Sequence, residues 1–261
     1  MKPEILVAPD LDCLARQAAQ EFARLAGEAL RRSGRFTVAL SGGSTPLRLY
    51  ALLGGESGEA YRSQIVWETV HLFWGDERAV PPEHPESNYG NVRRALLDRV
   101  PLPAANVHRI RGEDPDPGRA ARHYEQELRF FFHLKRRTLP RFNLVLLGMG
   151  TDGHTASLFP DSAALHEKSR LAVATPDPRG DDRGQRITLS LPVLNNAERL
   201  LFLVTGGDKA AMLRRILGGH PDPDPPPAAR VRPRDGRLSW LVDAAAATGI
   251  APTPGDANSG P

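Results

Sequence analysis

The fold of this chain is decided by the stretch Phe142–Pro160, FNLVLLGMGTDGHTASLFP. Its first part, Phe142–Leu147, is a nearly continuous apolar run, which is typical of a strand buried on both faces in a parallel sheet. Three glycines follow closely, so the backbone must turn sharply there. The turn contains Asp152 and His154, and open α/β sheets bind ligands beyond the carboxyl ends of their strands. We therefore expect this carboxylate and imidazole to take part in chemistry at that edge.

The same turn matches the dinucleotide-binding pattern G-x-G-x-x-G at Gly148, Gly150 and Gly153. In that fingerprint a helix begins within the motif and carries the pyrophosphate at its N-terminus. Here Asp152 lies inside the turn, where its charge would repel a pyrophosphate, and Pro160 closes the segment soon afterwards. The pattern therefore does not indicate a dinucleotide site. A tight turn with a purely structural histidine is the other interpretation, and the acid–histidine pairing at a strand end argues against it.

A second glycine-rich turn, Ser41–Pro46, follows a predicted buried strand at Phe36–Leu40. A helix is predicted behind it, over Leu47–Leu53, with Pro46 at its first position. Such a turn directs backbone N–H groups and hydroxyls toward an anion at a helix N-terminus. The residues predicted to bind the anion are Gly42, Gly43, Ser44 and Thr45. No Walker lysine follows, so a nucleotide P-loop is excluded, whereas an ordinary strand–helix turn remains the alternative.

Two further strand ends carry charged residues. A strand predicted at Val70–Phe73 leads into Asp76 and Arg78, and a strand at Leu200–Val204 leads into Lys209. Arginine offers a forked donor that suits phosphate, and an aspartate can orient a hydroxyl or a water molecule. A surface ion cluster and a solvated lysine are the alternatives. Because the carboxyl ends of parallel strands meet at one edge, all these segments are expected to form one site.

Helical and strand patterns alternate along the rest of the chain, which predicts an α/β fold with a mostly parallel sheet. Other predicted helices span residues 10–33 and 119–137 and begin at Ser87; other strands span 107–110, 171–174, 186–191 and 238–242. The strand at 186–191 alternates as if half exposed. We expect a mobile loop at 177–184, a stiff spacer or crossing loop at 221–227, and a single domain over 1–248. Residues 249–261 have the composition of a disordered tail.

Composition narrows the possible functions. The chain has 34 Lys and Arg against 31 Asp and Glu, and this weak basic excess lacks the interleaved aromatics of a nucleic-acid groove. Cys13 is the single cysteine, which excludes an intrachain disulfide and a multi-cysteine zinc site. Acidic residues interrupt the N-terminal segment where a signal peptide would be apolar, and no apolar run reaches membrane-spanning length. A cytoplasmic protein is expected, with no nucleic-acid or membrane partner and no metal.

Four segments together resemble the 6-phosphogluconolactonase family: SGGSTP at 41–46, GDER at 75–78, GMGTDGHTASLFP at 148–160 and RITL at 186–189. GGDK at 206–209 also fits that family, and the resemblance extends from residue 1 to about residue 248. It implies a Rossmann-like three-layer sandwich shared with sugar-phosphate isomerases and glucosamine-6-phosphate deaminases. It also implies hydrolysis of 6-phospho-D-glucono-1,5-lactone to 6-phosphogluconate in the pentose phosphate pathway, without a metal or cofactor. Monomer and homodimer are equally compatible with the pattern.

The resemblance and the residue chemistry suggest the same roles. Lactone hydrolysis needs an activated water and a proton for the departing ring oxygen. An imidazole can accept the proton of the water near neutral pH and later return it to that oxygen. His154 is the expected general base and acid, with Asp152 or Asp76 setting its orientation. Arg78 and Lys209 are expected to bind the 6-phosphate together with the 42–45 turn.

Two rivals remain at this point. In glucosamine-6-phosphate deaminases an acid that takes part in isomerisation follows the Asp-Gly-His turn, seven residues after the aspartate. Here that position is Phe159, which cannot transfer protons, so hydrolysis is favoured. A non-catalytic sugar-phosphate sensor would keep the anion contacts without needing Asp152 and His154.

Overall fold

A parallel sheet of seven strands forms the centre of the computed structural model, which describes residues 3–178, 184–218, 222–248 and 250. Within these residues the strands are β1 Glu4–Ala8, β2 Phe36–Leu40, β3 Val70–Trp74, β4 Asp76–Arg78, β5 Val107–His108, β6 Leu144–Leu147, β7 Ala172–Pro176, β8 Gln185–Leu189, β9 Arg199–Val204 and β10 Arg237–Asp243. The α-helices are α1 Leu11–Ser33, α2 Ser44–Gly54, α3 Glu59–Arg62, α4 Asn88–Ala95, α5 Pro117–Phe131, α6 Leu191–Leu194 and α7 Ala210–Leu217.

The central sheet has the order β1-β10-β9-β6-β2-β3-β5, and every neighbouring pair in it is parallel. From β2 the chain adds β3 and β5 in one direction, and from β6 it adds β9 and β10 in the other. The order therefore reverses between β2 and β6, and the crevice at such a switch point is where doubly wound sheets bind ligands. All residues of β2 and β6 are buried, as their apolar sequences predict.

Helices and a second sheet cover the faces of the central sheet. Helix α1 packs against α2, β2 and β10, whereas α5 packs against β7 and β8. The second sheet is antiparallel, with the order β4-β8-β7. The predicted α/β sandwich with a mostly parallel sheet is confirmed. None of the helices within the described ranges has the length and apolarity that crossing a membrane requires.

Several predicted elements match closely and others are corrected. Helix α1 begins after Asp10, whose carboxylate accepts a hydrogen bond from the N–H of Cys13 at 2.7 Å. Helix α2 begins at Ser44, so Pro46 occupies its third position and not its first. Helix α5 ends at Phe131, well before the predicted end at residue 137, because His133 and Arg137 adopt positive φ.

Three strand predictions are corrected. Strand β1 was missed, although Ile5–Ala8 is a run of four apolar residues, and as an edge strand it buries only Ala8. Strand β8 is buried from Arg186 onward, and not half exposed, because it lies between β4 and β7. The strand predicted at 107–110 comprises only its first two residues, Val107–His108.

Three other predictions concern residues that are described in part or not at all. Of the loop at 177–184, residues 179–183 lie outside the described residues. Of the proline-rich spacer, Pro221 lies outside them, and a short 3-10 helix follows at Pro227–Arg230. The predicted tail lies outside them except for Ile250.

Candidate active site

A cleft of about 340 Å³ opens at the carboxyl ends of β9, β6, β2 and β3, which are four adjacent strands. The 41–46 turn follows β2, the GDER segment follows β3, the turn with Asp152 and His154 follows β6, and the segment that leads to Lys209 follows β9. The predicted site residues that line the cleft are Gly42, Gly43, Ser44, Thr45, Asp76, Arg78, His154 and Lys209. The predicted site is therefore brought together in three dimensions, and only Asp152 stands behind the wall of the cleft.

The turn after β6 joins Asp152 to His154. The carboxylate oxygen Oδ1 of Asp152 accepts a hydrogen bond from Nδ1 of the His154 ring and a second one, at 3.1 Å, from the His154 backbone N–H. Gly150 allows this arrangement, since a Cβ there would lie 2.0 Å from Nδ1 of His154. With its Nδ1–H directed to Asp152, the imidazole leaves Nε2 as the basic nitrogen.

The ring of Phe159 contacts the His154 ring, with 4.7 Å between the centroids. Phe159 is fully buried, and the guanidinium of Arg186 lies 5.8 Å from its centroid. An apolar side chain therefore packs against the imidazole at the position where the isomerising relatives were expected to carry an acid. This contact limits the freedom of the ring to rotate away from Asp152.

The second candidate carboxylate, Asp76, makes different contacts. Its Oδ2 accepts a hydrogen bond from the hydroxyl of Ser157 at 2.6 Å, and its backbone carbonyl accepts one from the side-chain amide of Asn88 at 2.9 Å. Ser157 is itself buried, and its N–H donates to Thr188 Oγ1 at 3.2 Å. Asp76 thus ties the start of the GDER segment to the segment that follows His154, while one side of it faces the cleft.

Glu77, the next residue, points away from the cleft and into the protein. Its carboxylate accepts hydrogen bonds from the N–H groups of Arg78, Asn88 and Tyr89 at 2.7–2.8 Å. Two of these donors belong to the first turn of α4, where N–H groups lack partners within the helix. Burial raises the pKa of Glu77 to about 7, although these hydrogen bonds favour the ionised form.

The glycine-rich turn after β2 forms one wall of the cleft and leads into α2. Gly43 is the N-cap of this eleven-residue helix, and no side chain caps its first N–H groups. These donors and the positive end of the helix favour an anion. The hydroxyl of Thr45 is hydrogen-bonded to that of Thr205 at 2.7 Å, which leaves the exposed Ser44 as the more available hydroxyl.

Arg78 and Lys209 supply positive charge to opposite walls of the cleft. Arg78 donates from Nη1 to the carbonyl of Glu86 at 2.6 Å, but its buried Nε has no partner among the described residues. The hydroxyl of Ser41, which also lines the cleft, is buried and has no partner in the part of the chain that the structure describes. Buried donors of this kind are costly unless they meet a ligand or water, so they mark a polar binding site. The ammonium of Lys209 lies 3.0 Å from a carboxylate oxygen of Asp208, which is mostly exposed.

Three residues of the site were not assigned a role from the sequence. Arg186 lines the cleft, lies opposite Arg78 in the β4–β8 ladder and is ion-paired with Asp177. Its position in the RITL segment was a usable signal, whereas Asn88 and Ser157 are ordinary polar residues in their local sequence. Only their long-range contacts with Asp76 give these two a place in the site.

The described part of the chain contains no candidate metal site. Across residues 3–178, 184–218, 222–248 and 250, no three His, Cys, Asp or Glu side chains are grouped so that they could hold an ion.

Comparison with known proteins places these features in context. A family model for glucosamine-6-phosphate isomerases/6-phosphogluconolactonase matches residues 9–240. A 6-phosphogluconolactonase of Nostoc sp. is 39% identical over 246 residues, covering 94% of this chain and 98% of the relative. The solved 6-phosphogluconolactonase of Trypanosoma brucei superimposes with a TM-score of 0.84 and 29% identity, covering 96% of this chain and 99% of that one. A monomeric glucosamine-6-phosphate deaminase shares the fold, with a TM-score of 0.77 at 20% identity over 94% of this chain and 99% of its own.

Proposed function

The chain belongs to the glucosamine-6-phosphate isomerase/6-phosphogluconolactonase family, and within it we propose that it hydrolyses 6-phospho-D-glucono-1,5-lactone through water activated by His154. The activity is that of a lactonase of the pentose phosphate pathway, and its product is 6-phospho-D-gluconate. The observation that carries the mechanism is the Asp152–His154 pair in a cleft whose other walls hold unpaired donors for a phosphate.

The reaction begins with attack of water on the lactone carbonyl carbon. Nε2 of His154 takes the proton from the water as the new C–O bond forms, while Asp152 holds Nδ1–H and stabilises the imidazolium. The carbonyl oxygen becomes an oxyanion, and backbone N–H groups of the glycine turns are the proposed donors to it. The bond between the carbonyl carbon and the ring oxygen then breaks, and His154 returns the proton to that oxygen.

The phosphate is proposed to lie between Arg78, Lys209 and the N-terminus of α2. The Nε–H of Arg78, which has no partner among the described residues, is a suitable donor for it. The N–H groups of the first turn of α2, which no side chain caps, are further suitable donors. Binding the phosphate at a distance from the reacting carbon uses its binding energy to orient the lactone. Ser44 and Thr45 would add hydroxyl contacts.

The experiment that tests this function follows proton release from freshly generated 6-phosphogluconolactone at controlled pH, above the spontaneous rate. We expect the wild-type protein to accelerate hydrolysis and His154→Ala to lower kcat by about 10²–10⁴-fold. His166→Ala is the matched control, because His166 lies in a separate 3-10 helix outside the cleft lining. A His154→Ala protein that keeps more than roughly a tenth of kcat would contradict the general-base role.

The two rival functions predict different results. Phe159 against the His154 ring supports hydrolysis over isomerisation, since it leaves no acid at that position. Ammonia release from glucosamine 6-phosphate, with no acceleration of lactone hydrolysis, would favour the deaminase. Tight sugar-phosphate binding with no turnover of either compound would favour the sensor. The cytoplasmic location, the absence of a nucleic-acid partner, the choice between monomer and homodimer, and the single domain over residues 1–248 stay predictions.

A further inference from the structure

The proline-rich segment that follows α7 packs against the turn that carries the catalytic pair. A Cβ placed on Gly153 would lie 2.6 Å from Cβ of Pro226 and 3.0 Å from Sδ of Met212. The backbone of Gly153 is therefore in close contact with one residue of the proline-rich segment and one residue of α7. Gly153 lies directly between Asp152 and His154 in the chain.

A backbone hydrogen bond joins the same two segments. The N–H of Ala228 donates to the carbonyl of Gly153 at 2.9 Å, and Ala228 and Pro226 are both buried. Gly153 has a φ of +78°, a conformation that side-chain-bearing residues rarely adopt. The backbone between Asp152 and His154 is thus held by contacts from a segment about 75 residues further along the chain.

The turn needs this support because it has little regular structure of its own. Between the end of β6 and His154 its internal backbone hydrogen bonds within the described residues are those of Gly150 N–H to the His154 carbonyl, at 2.9 Å, and of Gly153 N–H to the Gly150 carbonyl, at 3.0 Å. Glycines make such a turn conformationally free. Proline has a fixed φ, so Pro226 presents a stiff surface to it.

The proline-rich segment is in turn fastened to α7. Arg215 on that helix donates to the carboxylate of Asp222 at 2.7 Å and to the carbonyl of Asp224 at 2.8 Å. Arg230 donates from Nε to the carbonyl of Pro225 at 2.9 Å, which closes the segment on itself. Segment and helix therefore form a continuous support behind Gly153.

We propose that Pro226 is a positioning residue for the reaction, which with Met212 and Ala228 holds the Asp152–Gly153–His154 turn in its productive geometry. The proposal rests on the proposed function of His154. A displacement of about 1 Å in a reacting group is enough to lower a rate by up to about 10²-fold. Of the proposed phosphate ligands, Arg78 and the α2 N-terminus lie on other segments, and Lys209 lies at the start of α7 and not at the contact with Gly153. Loss of this contact therefore affects kcat more than KM.

The test compares two proline-to-glycine variants of the same segment. Pro226→Gly removes the contact with Gly153, whereas Pro223→Gly changes an exposed proline. We expect Pro226→Gly to lower kcat about tenfold with KM within about twofold of wild type, and Pro223→Gly to match wild type in both. Pro226→Ala keeps the Cβ that touches Gly153, so it should recover most of kcat.

Met212→Ala tests the same support from the side of α7, and it takes the place of Pro226→Gly in the experiment if that variant does not fold. It should lower kcat several-fold at constant KM, and Met212→Leu should restore it, because leucine refills the space. Values of kcat within twofold of wild type for every folded variant would overturn the proposal, as would a rise in KM at constant kcat.

A readout independent of turnover separates this proposal from the proposed function. The imidazole signals of His154, assigned by their loss in His154→Ala, are compared by NMR in wild type and in the folded variants. Splitting or broadening of these signals in Pro226→Gly or Met212→Ala, but not in Pro223→Gly, is expected. Unchanged signals would overturn the positioning role, whereas an inactive wild type with the expected signals would refute only the lactonase function.

Discussion

Asp152 and Asp76 are two carboxylates at one cleft, but their hydrogen bonds give them different tasks. Asp152 contacts the ring and the backbone of His154, whereas Asp76 contacts Ser157 and Asn88. The two contacts to Asp152 hold the imidazole in one orientation with its Nε2 basic. The sequence leaves open which of the two carboxylates orients His154, and these contacts lead us to propose Asp152.

We predict that Asp152→Asn lowers kcat by about 10²-fold or more at nearly constant KM, because an amide in place of the carboxylate no longer stabilises the imidazolium. Asp76→Asn is the comparison variant and should change kcat less, since an amide oxygen can still accept from the Ser157 hydroxyl. Steady-state proton release measures kcat and KM of both variants. A larger loss of kcat in Asp76→Asn than in Asp152→Asn would reverse the assignment.

We expect Arg78 to bind the phosphate group of the substrate. Its buried Nε–H lacks a partner among the described residues, and a hydrogen bond to a charged group contributes about 1.5–3 kcal/mol. We predict that Arg78→Lys raises KM by about tenfold or more with little change in kcat, because lysine keeps the charge but loses the forked donor. Arg94→Ala, which alters an exposed arginine of α4, should leave KM unchanged. An unchanged KM in Arg78→Lys would exclude the phosphate role.

At the scale of elements, the close approach of α4 to the glycine-rich turn determines the shape of the cleft. A Cβ at Gly42 would lie 1.9 Å from Oδ1 of Asn88, the first residue of α4. Asn88 also donates to the carbonyl of Asp76 and to Glu77 through its side chain and backbone. The ends of β2 and β3 are thus linked through the start of one short helix.

We predict that Gly42→Ala destabilises the protein by about 1–3 kcal/mol, because the added methyl group overlaps the Asn88 side chain. Gly148→Ala is the matched control in the same cleft, since a Cβ there meets nothing within 4 Å. Adding Asn88→Ala to Gly42→Ala should recover part of the lost stability by clearing the overlap. Denaturant unfolding of the four proteins measures this, and equal stability of the two glycine variants would contradict it.

The antiparallel sheet β4-β8-β7 holds charged segments of the site in place. Strand β4 continues from β3 through one residue, and its pairing with β8 brings Arg186 opposite Arg78. The carboxylates and guanidinium groups of the GDER and RITL segments are therefore held by a ladder and not by a free loop. This rigid base reduces the ordering that the substrate must induce.

For the molecule as a whole, Glu77 links the site to pH-dependent stability. Burial raises its pKa to about 7 in the folded state, from a usual value of 4.5. Between these two pH values the folded state binds more protons than the unfolded state at this group. The contribution of Glu77 to stability therefore falls as pH rises through this window.

We predict that wild type loses stability relative to Glu77→Gln as pH is raised from about 5 to about 7.5, by a difference on the order of 3 kcal/mol at most. The glutamine cannot titrate, so its altered hydrogen bonds add only a constant offset. Urea unfolding of both proteins at several pH values gives the difference. A difference that does not change with pH would show that Glu77 keeps an ordinary pKa.

Local sequence patterns were sufficient to predict much of the fold and of the candidate site. The buried strands β2 and β6, the cap of α1 and the four site segments at strand ends follow from apolar runs, caps and glycine clusters, which act over a few residues. The meeting of those segments also follows, because parallel strands present their carboxyl ends at one edge.

Tertiary structure decided the features that depend on distant contacts. The hydroxyl pair of Thr45 and Thr205 spans 160 residues, and the Ser157–Asp76 hydrogen bond spans 81. The order of the strands, the antiparallel sheet and the contact of Pro226 with Gly153 arise in the same way. Such contacts form only when whole elements bury their faces against each other, so no short segment of sequence carries a signal for them.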